Sequence, residues 1–552
     1  MRNWETSQKT VSKLVKLMMF MAIMFAVVLV PSTAFAAFGY TSDSSTYTVD
    51  TGANLVFKVS RTNGDITALT YKGTNYNGYT NKNSHVEMGL GSSTVTISQP
   101  NSSTIMVKTV YGTLEQYYVA RKGENNIYMF TYIADDSVTA SRYIVRLNPS
   151  YFSVLNTPVS WSNTYDTYEA KDIFRNPSTG YTYSKHYSDQ RVMDYRYTGI
   201  SNGSVGAYIV RSNHEKASGG PFYRSLIRDN TEGAVNIYEI LYYGMAQTDV
   251  KRYGLQGPYV LTFTNGGTPS SSLYTENLNT SWIDSLGIKG WVGTSGRGRV
   301  AGVGLKNMKS GYEYVVGFSN SDAQYWTTAA SSNGYFSCAN MLPGTYTMTV
   351  YKNEYAVHTQ SVTVTAGGTK ILNSITLTDP SDEAVTWRVG DWDGTPKEFK
   401  NGTLMTKMHP GDSRVANWKG NYIVGTSSTD AFPCYIFKDV NDGIIIYFRM
   451  NSTQAASAHT LRIGMTGNYI GGRIQPSVNS WTAKLPSACS QPNTRLMTIG
   501  TYRGNNYTYS FTVPSSAFVT SGWNILKLNV ISGSSGSGYL SPAVSIDCIE
   551  LD

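Results

Sequence analysis

The sequence predicts an all-β protein built from β-sandwich units in series. Three observations carry this. Among 552 residues there are 42 tyrosines and 51 glycines, beside many Ser, Thr and Asn, a mix that favours strands joined by tight turns. Apolar residues alternate with polar ones over short runs such as YTVDTGANLVFKVS, STVTISQ and NIYMFTYIAD, the period of a half-buried strand. Helical periodicity is hard to find. The chain is too long for one hydrophobic core, so roughly two to four domains are expected.

The first 36 residues precede the fold. Arg2, Lys9, Lys13 and Lys16 lead into the apolar run LMMFMAIMFAVVLV, and Ala34-Phe35-Ala36 fits a small-x-small cleavage site. Residues 1–36 read as a signal peptide, with a secreted, extracellular chain starting at Ala37. The run is short for a membrane span, so no membrane association is expected after cleavage. Losing it lowers the formal charge of +8 to about +5. A modestly basic secreted protein suits an acidic partner such as a uronic-acid polysaccharide. Nucleic acid is not expected as a partner.

Residues 37–285 form the first unit, a large β-sandwich whose runs are divided by turn clusters such as NGD and KGT. TNGGTPSSS (264–272) reads as a linker or boundary loop. Residues 286–379, with proline-glycine turns between short strands, suit a fibronectin type III-like sandwich. SGRGRVAG lies here; without a lysine-serine pair or a following helix, its glycines are assigned to a hairpin turn rather than a phosphate loop. Residues 380–552 carry evenly spaced strands with tryptophans between them, a jelly roll of the carbohydrate-binding sort. Exposed aromatics there would stack on sugars, although Trp392, Trp418 and Trp481 read equally well as core. The spacing of Cys338, Cys434, Cys489 and Cys548 defines no disulfide pairs and no zinc motif.

One stretch does not fit a packed strand. In YTYSKHYSD (181–189), alternation places Tyr181, Tyr183, Lys185, Tyr187 and Asp189 on one face and Thr182, Ser184, His186 and Ser188 on the other. Neither face is apolar enough for ordinary core. On the residues alone, Lys185 is either a solvated amine or a group placed to take a proton. Arg142 and Arg146 in SRYIVRL lie four apart and so share a strand face.

Runs along the whole chain resemble the family 4 polysaccharide lyases, the secreted rhamnogalacturonan lyases. AFGYTSDSSTYTVDT, SHVEMGLGS, RYIVRLN, SGGPFYR and QTDVKRYGLQGPY carry the resemblance in the first unit. KGWVGTSGRGRVAG, AQYWT and PGTYTM carry it in the second. GDWDGTP, MHPGDSR, IGGRIQPSVNSW and NVISGSSGSGYLSP carry it in the third. The resemblance implies a galactose-mutarotase-like sandwich, a fibronectin-like module and a carbohydrate-binding-module-like jelly roll. It also implies β-elimination at the rhamnose–galacturonic acid linkage of pectic rhamnogalacturonan I, by a monomer with no organic cofactor. In that setting Lys185 matches the family's base, and Arg142 and Arg146 match its substrate-binding arginines. Tyr183, Tyr187, Tyr238 and His85 are implied as further substrate contacts.

One position departs from the pattern. Where the family places a histidine before a Gln-Thr-acid run, this chain has Met245 in YYGMAQTD, and methionine has no proton to donate. Another residue, Tyr243 or Tyr238, serves as acid; or water does; or turnover is impaired and a pectin-binding protein remains. The resemblance further implies a structural calcium, for which Asp391, Asp393 and Asp547 could supply oxygens.

Overall fold

The computed structural model describes residues 37–552 except 79–80, 153–165, 170–172, 185–189, 212, 225–227, 232–233, 243–250, 405–408, 417, 419, 470, 488–505 and 533–541, and except the side chains of 167, 169, 173, 183, 184 and 229–231. The protein is almost entirely β, as the alternation predicted.

The first sandwich has a seven-stranded antiparallel sheet in the order Tyr197–Ser201, Gly206–Val210, Gly254–Thr264, Asn126–Ile133, Leu114–Arg121, Thr104–Tyr111, Thr94–Asn101. Opposite it lie a five-stranded meander over Gly39–Asn75 and a four-stranded sheet. The latter runs Arg228–Thr231, Ala234–Tyr242, Ser141–Leu147, His85–Val86. Alternate residues explain the layering. Tyr143, Val145 and Leu147, with Val235 and Ile237 across the ladder, join Ile105, Val107, Ile127 and Met129 in one core. Residues of opposite parity on the four-stranded sheet therefore face away from that core.

The seven-stranded sheet is covered on its other face too. Leu273, Ile283, Leu286 and Ile288 pack on Tyr117, Val119, Tyr128 and Phe130. The chain following the predicted boundary loop thus still belongs to the first core. Asp166–Glu169, Ile173–Arg175 and Thr182–Ser184 form a separate three-stranded sheet.

In the second unit the sheet Gln324–Thr328, Tyr314–Ser319, Gly344–Lys352, Tyr355–Val364 packs Val316, Phe318, Met348 and Val350 against Val300, Phe336 and Met341. The glycines of SGRGRVAG are not in a hairpin turn. Gly298–Gly302 is a strand, antiparallel to Phe336–Met341 and parallel to Thr369–Leu372. A Cβ on Gly298 would lie 2.3 Å from Thr365 O, so close backbone approach explains that glycine.

The third unit packs two sheets face to face. Trp387–Gly390, Ala543–Leu551, His459–Tyr469 and Tyr507–Val513 form one, with Tyr435–Phe437 also paired to Ala543–Leu551. Asn421–Ile423, Ile444–Phe448, Asn524–Ile531, Arg473–Val478 and Trp481–Thr482 form the other. Trp392 and Trp418 are core, 1% and 2% exposed, and Trp481 packs against the core. None of the three is a free sugar platform. Cys338, Cys434 and Cys548 are buried free thiols, while Cys489 lies outside the described residues.

Buried ion pairs join the units. Arg224 of the first donates to Glu354 of the second, Nη2 to Oε1 at 2.6 Å, with side chains 0% and 1% exposed. Arg297 Nη1 reaches Glu215 Oε2 at 2.6 Å across the same junction. Removing one member of such a pair strands a charge in a low dielectric. Glu354→Ala is expected to destabilise the protein by about 3–5 kcal/mol in denaturant unfolding; a loss under about 1 kcal/mol would show that solvent reaches Arg224.

Candidate functional site

The face of the four-stranded sheet turned away from the core carries the charged groups. On Ser141–Leu147 it presents Arg142, Ile144 and Arg146, opposite Ile240, Tyr238 and Asn236 of the neighbouring strand. His85 pairs with Ile144 from the other side. The structure therefore brings together Arg142, Arg146, His85 and Tyr238, four of the residues singled out in the sequence. The added members are Asn236 and Glu87. Asn236 could have been found from strand pairing; Glu87 sits in the quoted run SHVEMGLGS.

Arg146 is 5% exposed. Its Nε donates to His85 Nε2 at 3.1 Å and its Nη1 to Asn236 Oδ1 at 3.2 Å. Its backbone is held as well: its N–H donates to Ser84 Oγ at 2.9 Å, and its carbonyl accepts from Gly78 N at 3.0 Å. Gly78 has φ +68°, and a Cβ there would come within 2.7 Å of Lys82 O. To accept from Arg146 at Nε2, His85 must carry its proton on Nδ1, which faces Val86 O at 3.4 Å. Burial, then the neighbouring Arg146 charge, lowers the His85 pKa to about 4. His85 is thus a neutral support for a guanidinium.

Arg142 is more open and pairs with Glu87, Nε to Oε2 at 3.2 Å and Nη2 to Oε1 at 3.4 Å. Glu87 is placed by a left-handed turn (φ 53°) and by its own N–H, which donates to Arg142 O at 2.9 Å. Burial raises the Glu87 pKa, against the pull of Arg142. Two guanidinium groups four residues apart on one face are suited to hold carboxylates, each being permanently charged and forked.

Lys185, Tyr187, Tyr243 and Met245 lie outside the described residues, and of Tyr183 only the backbone, paired with Phe174, is described. Tyr238 is 6% exposed on the arginine face. A register shift between Ser141 and Arg142, opposite Leu241, precedes the described end of that strand at Tyr242. Simple alternation from Tyr238 therefore does not hold to the described end of the strand. His214 does not line this face. Its Nε2 accepts from Arg211 Nε at 3.2 Å and its ring stacks on Trp326 of the second unit, 6.0 Å between centroids.

The strand leading to Lys185 is held by the third unit. Asp412, in MHPGDSR, accepts from Thr182 N at 2.7 Å and from Thr182 Oγ1 at 3.0 Å through Oδ2. Thr182 Oγ1 in turn accepts from His409 N at 3.2 Å. Arg414 pairs with Asp412, Nη2 to Oδ2 at 2.7 Å, and lies 4.3 Å over the Tyr181 ring. His409 meets Tyr168 edge-on, and a Cβ on Gly411 would fall 2.1 Å from the Tyr168 hydroxyl. Thr182, one of the polar residues on that side of the strand, thus has as its partner a carboxylate 230 residues away.

Asp391, Asp393 and Asp547 do fall near one another, with Glu398, at the junction of the second and third units. Asp393 accepts from Thr395 N at 2.8 Å and from Asn353 Nδ2 at 2.9 Å, using both oxygens. Asp547 Oδ1 accepts from Gly394 N at 2.7 Å, and Asp391 from the Tyr312 hydroxyl. Among the described residues no three His, Cys, Asp or Glu side chains converge to hold an ion. Burial, then the Asp393 charge, lifts Glu398 to about 8. These acids as placed do not fit a calcium shell.

Known proteins resemble the chain throughout. Residues 38–290 match the family description "Rhamnogalacturonan lyase B, N-terminal". Residues 296–372 and 385–551 match domains II and III of polysaccharide lyase family 4. Rhamnogalacturonate lyase A of Aspergillus aculeatus is 41% identical over 94% of this chain and 97% of its own length. Rhamnogalacturonate lyase A of Emericella nidulans is 40% identical over 96% and 98%. A putative rhamnogalacturonase of Neurospora crassa is 38% identical over 97% and 99%.

Asp412→Ala leaves Thr182 N and Arg414 without this acceptor. It is expected to lower stability by about 1–3 kcal/mol in denaturant unfolding. Thr182→Ser, which keeps the hydroxyl, should stay near wild type. Equal stability of Asp412→Ala and wild type would show that the contact contributes nothing.

Proposed function

Since the chain belongs to polysaccharide lyase family 4, we infer that it is a rhamnogalacturonan lyase acting on pectic polysaccharide. The structural observation that supports this is the arginine face, with Arg142 and Arg146 on one strand and a neutral His85 beneath the second.

The finer reading is β-elimination at the rhamnose–galacturonic acid linkage of rhamnogalacturonan I. The C5 proton of galacturonate is poorly acidic because the adjacent carboxylate already carries negative charge. Removing it builds a second charge on the carboxylate oxygens. Arg142 and Arg146 would neutralise that group and stabilise the charge as it grows. Lys185 would take the C5 proton; neighbouring guanidiniums favour its neutral form. The C4–O4 bond then breaks, leaving a 4,5-unsaturated galacturonate, and O4 is protonated as rhamnose departs. With Met245 where the family has histidine, that proton would come from Tyr243 or Tyr238. Tyr183 and Tyr187 would flank the sugar from the Lys185 strand. No step requires an organic cofactor, and none is routed through calcium.

The leader at 1–36 supports secretion, and the pectic substrate is itself extracellular. No helix among the described residues is long and apolar enough to cross a membrane. The enzyme would act as a monomer.

Incubating the protein with rhamnogalacturonan I should generate ultraviolet absorbance from the unsaturated uronate. Lys185→Ala should lower that rate by about 10²–10⁴-fold, the range for a lost general base. New reducing ends without the absorbance would mean hydrolysis. Binding without any product would leave a pectin-binding protein.

A further inference from the structure

The tryptophans weighed as platforms in the third unit are buried or packed on its core, yet the sheet that includes Ile444–Phe448 and Asn524–Ile531 keeps part-exposed and exposed side chains on its outer face among the described residues. Inward positions such as Ile446, Leu526 and Leu528 fill the core. At the end of the outward row stands Trp523, 41% exposed. The Arg449 guanidinium lies 4.4 Å over its ring, and the Tyr447 ring meets it edge-on with centroids 6.2 Å apart. Tyr447 pairs across the ladder with Ile525, itself 39% exposed.

Among the described strand residues of this face the charge has one sign. No outward position on Asn421–Ile423, Ile444–Phe448, Arg473–Val478 or Asn524–Ile531 is acidic. Lys527 lies four residues along from Trp523 on the same side, and Arg473 is opposite Ile531 four further on. At the strand rise of about 3.3 Å per residue, the cations follow the strand at intervals of roughly 13 Å. An aromatic ring with an apolar apron suits the C–H face of a sugar, and spaced cations suit an extended anion better than a compact one. An exposed aromatic and aliphatic cluster beside such cations suits a binding surface.

We propose that this sheet face, centred on Trp523, Tyr447, Arg449 and Lys527, is a second binding site for an acidic, uronate-bearing polysaccharide, separate from the arginine face of the first sandwich. It rests on the lyase reading only for the choice of an acidic glycan as occupant. The site would hold the polymer while the first domain acts on it.

Affinity electrophoresis of the full-length protein tests this, in gels containing rhamnogalacturonan I or the same polymer with its carboxylates reduced to alcohols. Trp523→Ala should lose roughly tenfold or more in affinity for the acidic polymer, as expected for an exposed aromatic anchor, and Trp523→Phe should retain most of it. The Arg449→Ala/Lys527→Ala double variant should lose affinity for the acidic polymer alone, and wild-type retention should weaken with salt. On short oligosaccharides Trp523→Ala should keep the wild-type lyase rate. Unchanged retention of Trp523→Ala overturns the proposal. Equal retention of wild type by the reduced polymer also overturns it, by making the face one for neutral glycans. If no unsaturated product appears with any substrate, the lyase reading falls, while loss of retention in Trp523→Ala still establishes the site.

Discussion

A guanidinium buried on the outer face of a sheet needs acceptors, and Arg146 takes one from a histidine that must stay neutral to supply it. The Nε–Nε2 hydrogen bond fixes three things together. It selects the Nδ1–H tautomer of His85, sets the plane of the guanidinium beside Asn236, and ties the short His85–Val86 strand to the edge of the sheet. Were His85 protonated, two cations would face each other and the acceptor would be gone. The placement of the Arg146 guanidinium on this face depends on that one neutral ring. His85 accordingly supports an arginine and is unsuited to proton donation near neutral pH.

The three units share the work of holding this apparatus. The first sandwich supplies the arginine face, but the three-stranded sheet that leads to Lys185 is hydrogen-bonded to Asp412 and His409 of the third unit. The second unit closes the frame through Arg224–Glu354 and Arg297–Glu215. A chain that could be divided into independent modules would not bury such pairs between them. The third unit is therefore a structural partner of the first sandwich as well as a sheet with an exposed face of its own.

Much of this was legible in the sequence because strand periodicity is simple. Arg142 and Arg146 share a parity, and the intervening Tyr143 and Val145 are core, as alternation requires. What alternation cannot convey is which partner lies across a domain boundary. Asp412 stands in a quoted motif, but nothing local marks it as the acceptor for Thr182. For the tryptophans alternation left core and sugar platform equally open, and the structure buries them: Trp418 fills the jelly-roll core, Trp392 packs on Tyr355 of the second unit, and Trp523 is exposed instead. His214 likewise packs against Trp326 of the second unit, a contact that nothing local in the sequence marks. The register shift opposite Leu241 is likewise invisible in an apparently regular strand. Tyr238 reaches the arginine face by regular pairing, while Lys185, Tyr243 and Met245 rest on the chain-long resemblance to their family.

The most direct test of the account is the titration of His85 by NMR, assigned through a His85→Gln variant. The folded-state value should be about 4, depressed from the ordinary 6.5 chiefly by burial and then by Arg146. A histidine with a depressed folded pKa contributes stability in full above pH 6.5, and that contribution is lost as the pH falls towards 4. The stability advantage of wild type over His85→Gln should accordingly shrink across the same window in parallel unfolding measurements. A pKa at or above 6.5 would mean that His85 is charged or solvated beside Arg146. That result would contradict a neutral imidazole holding the Arg146 guanidinium.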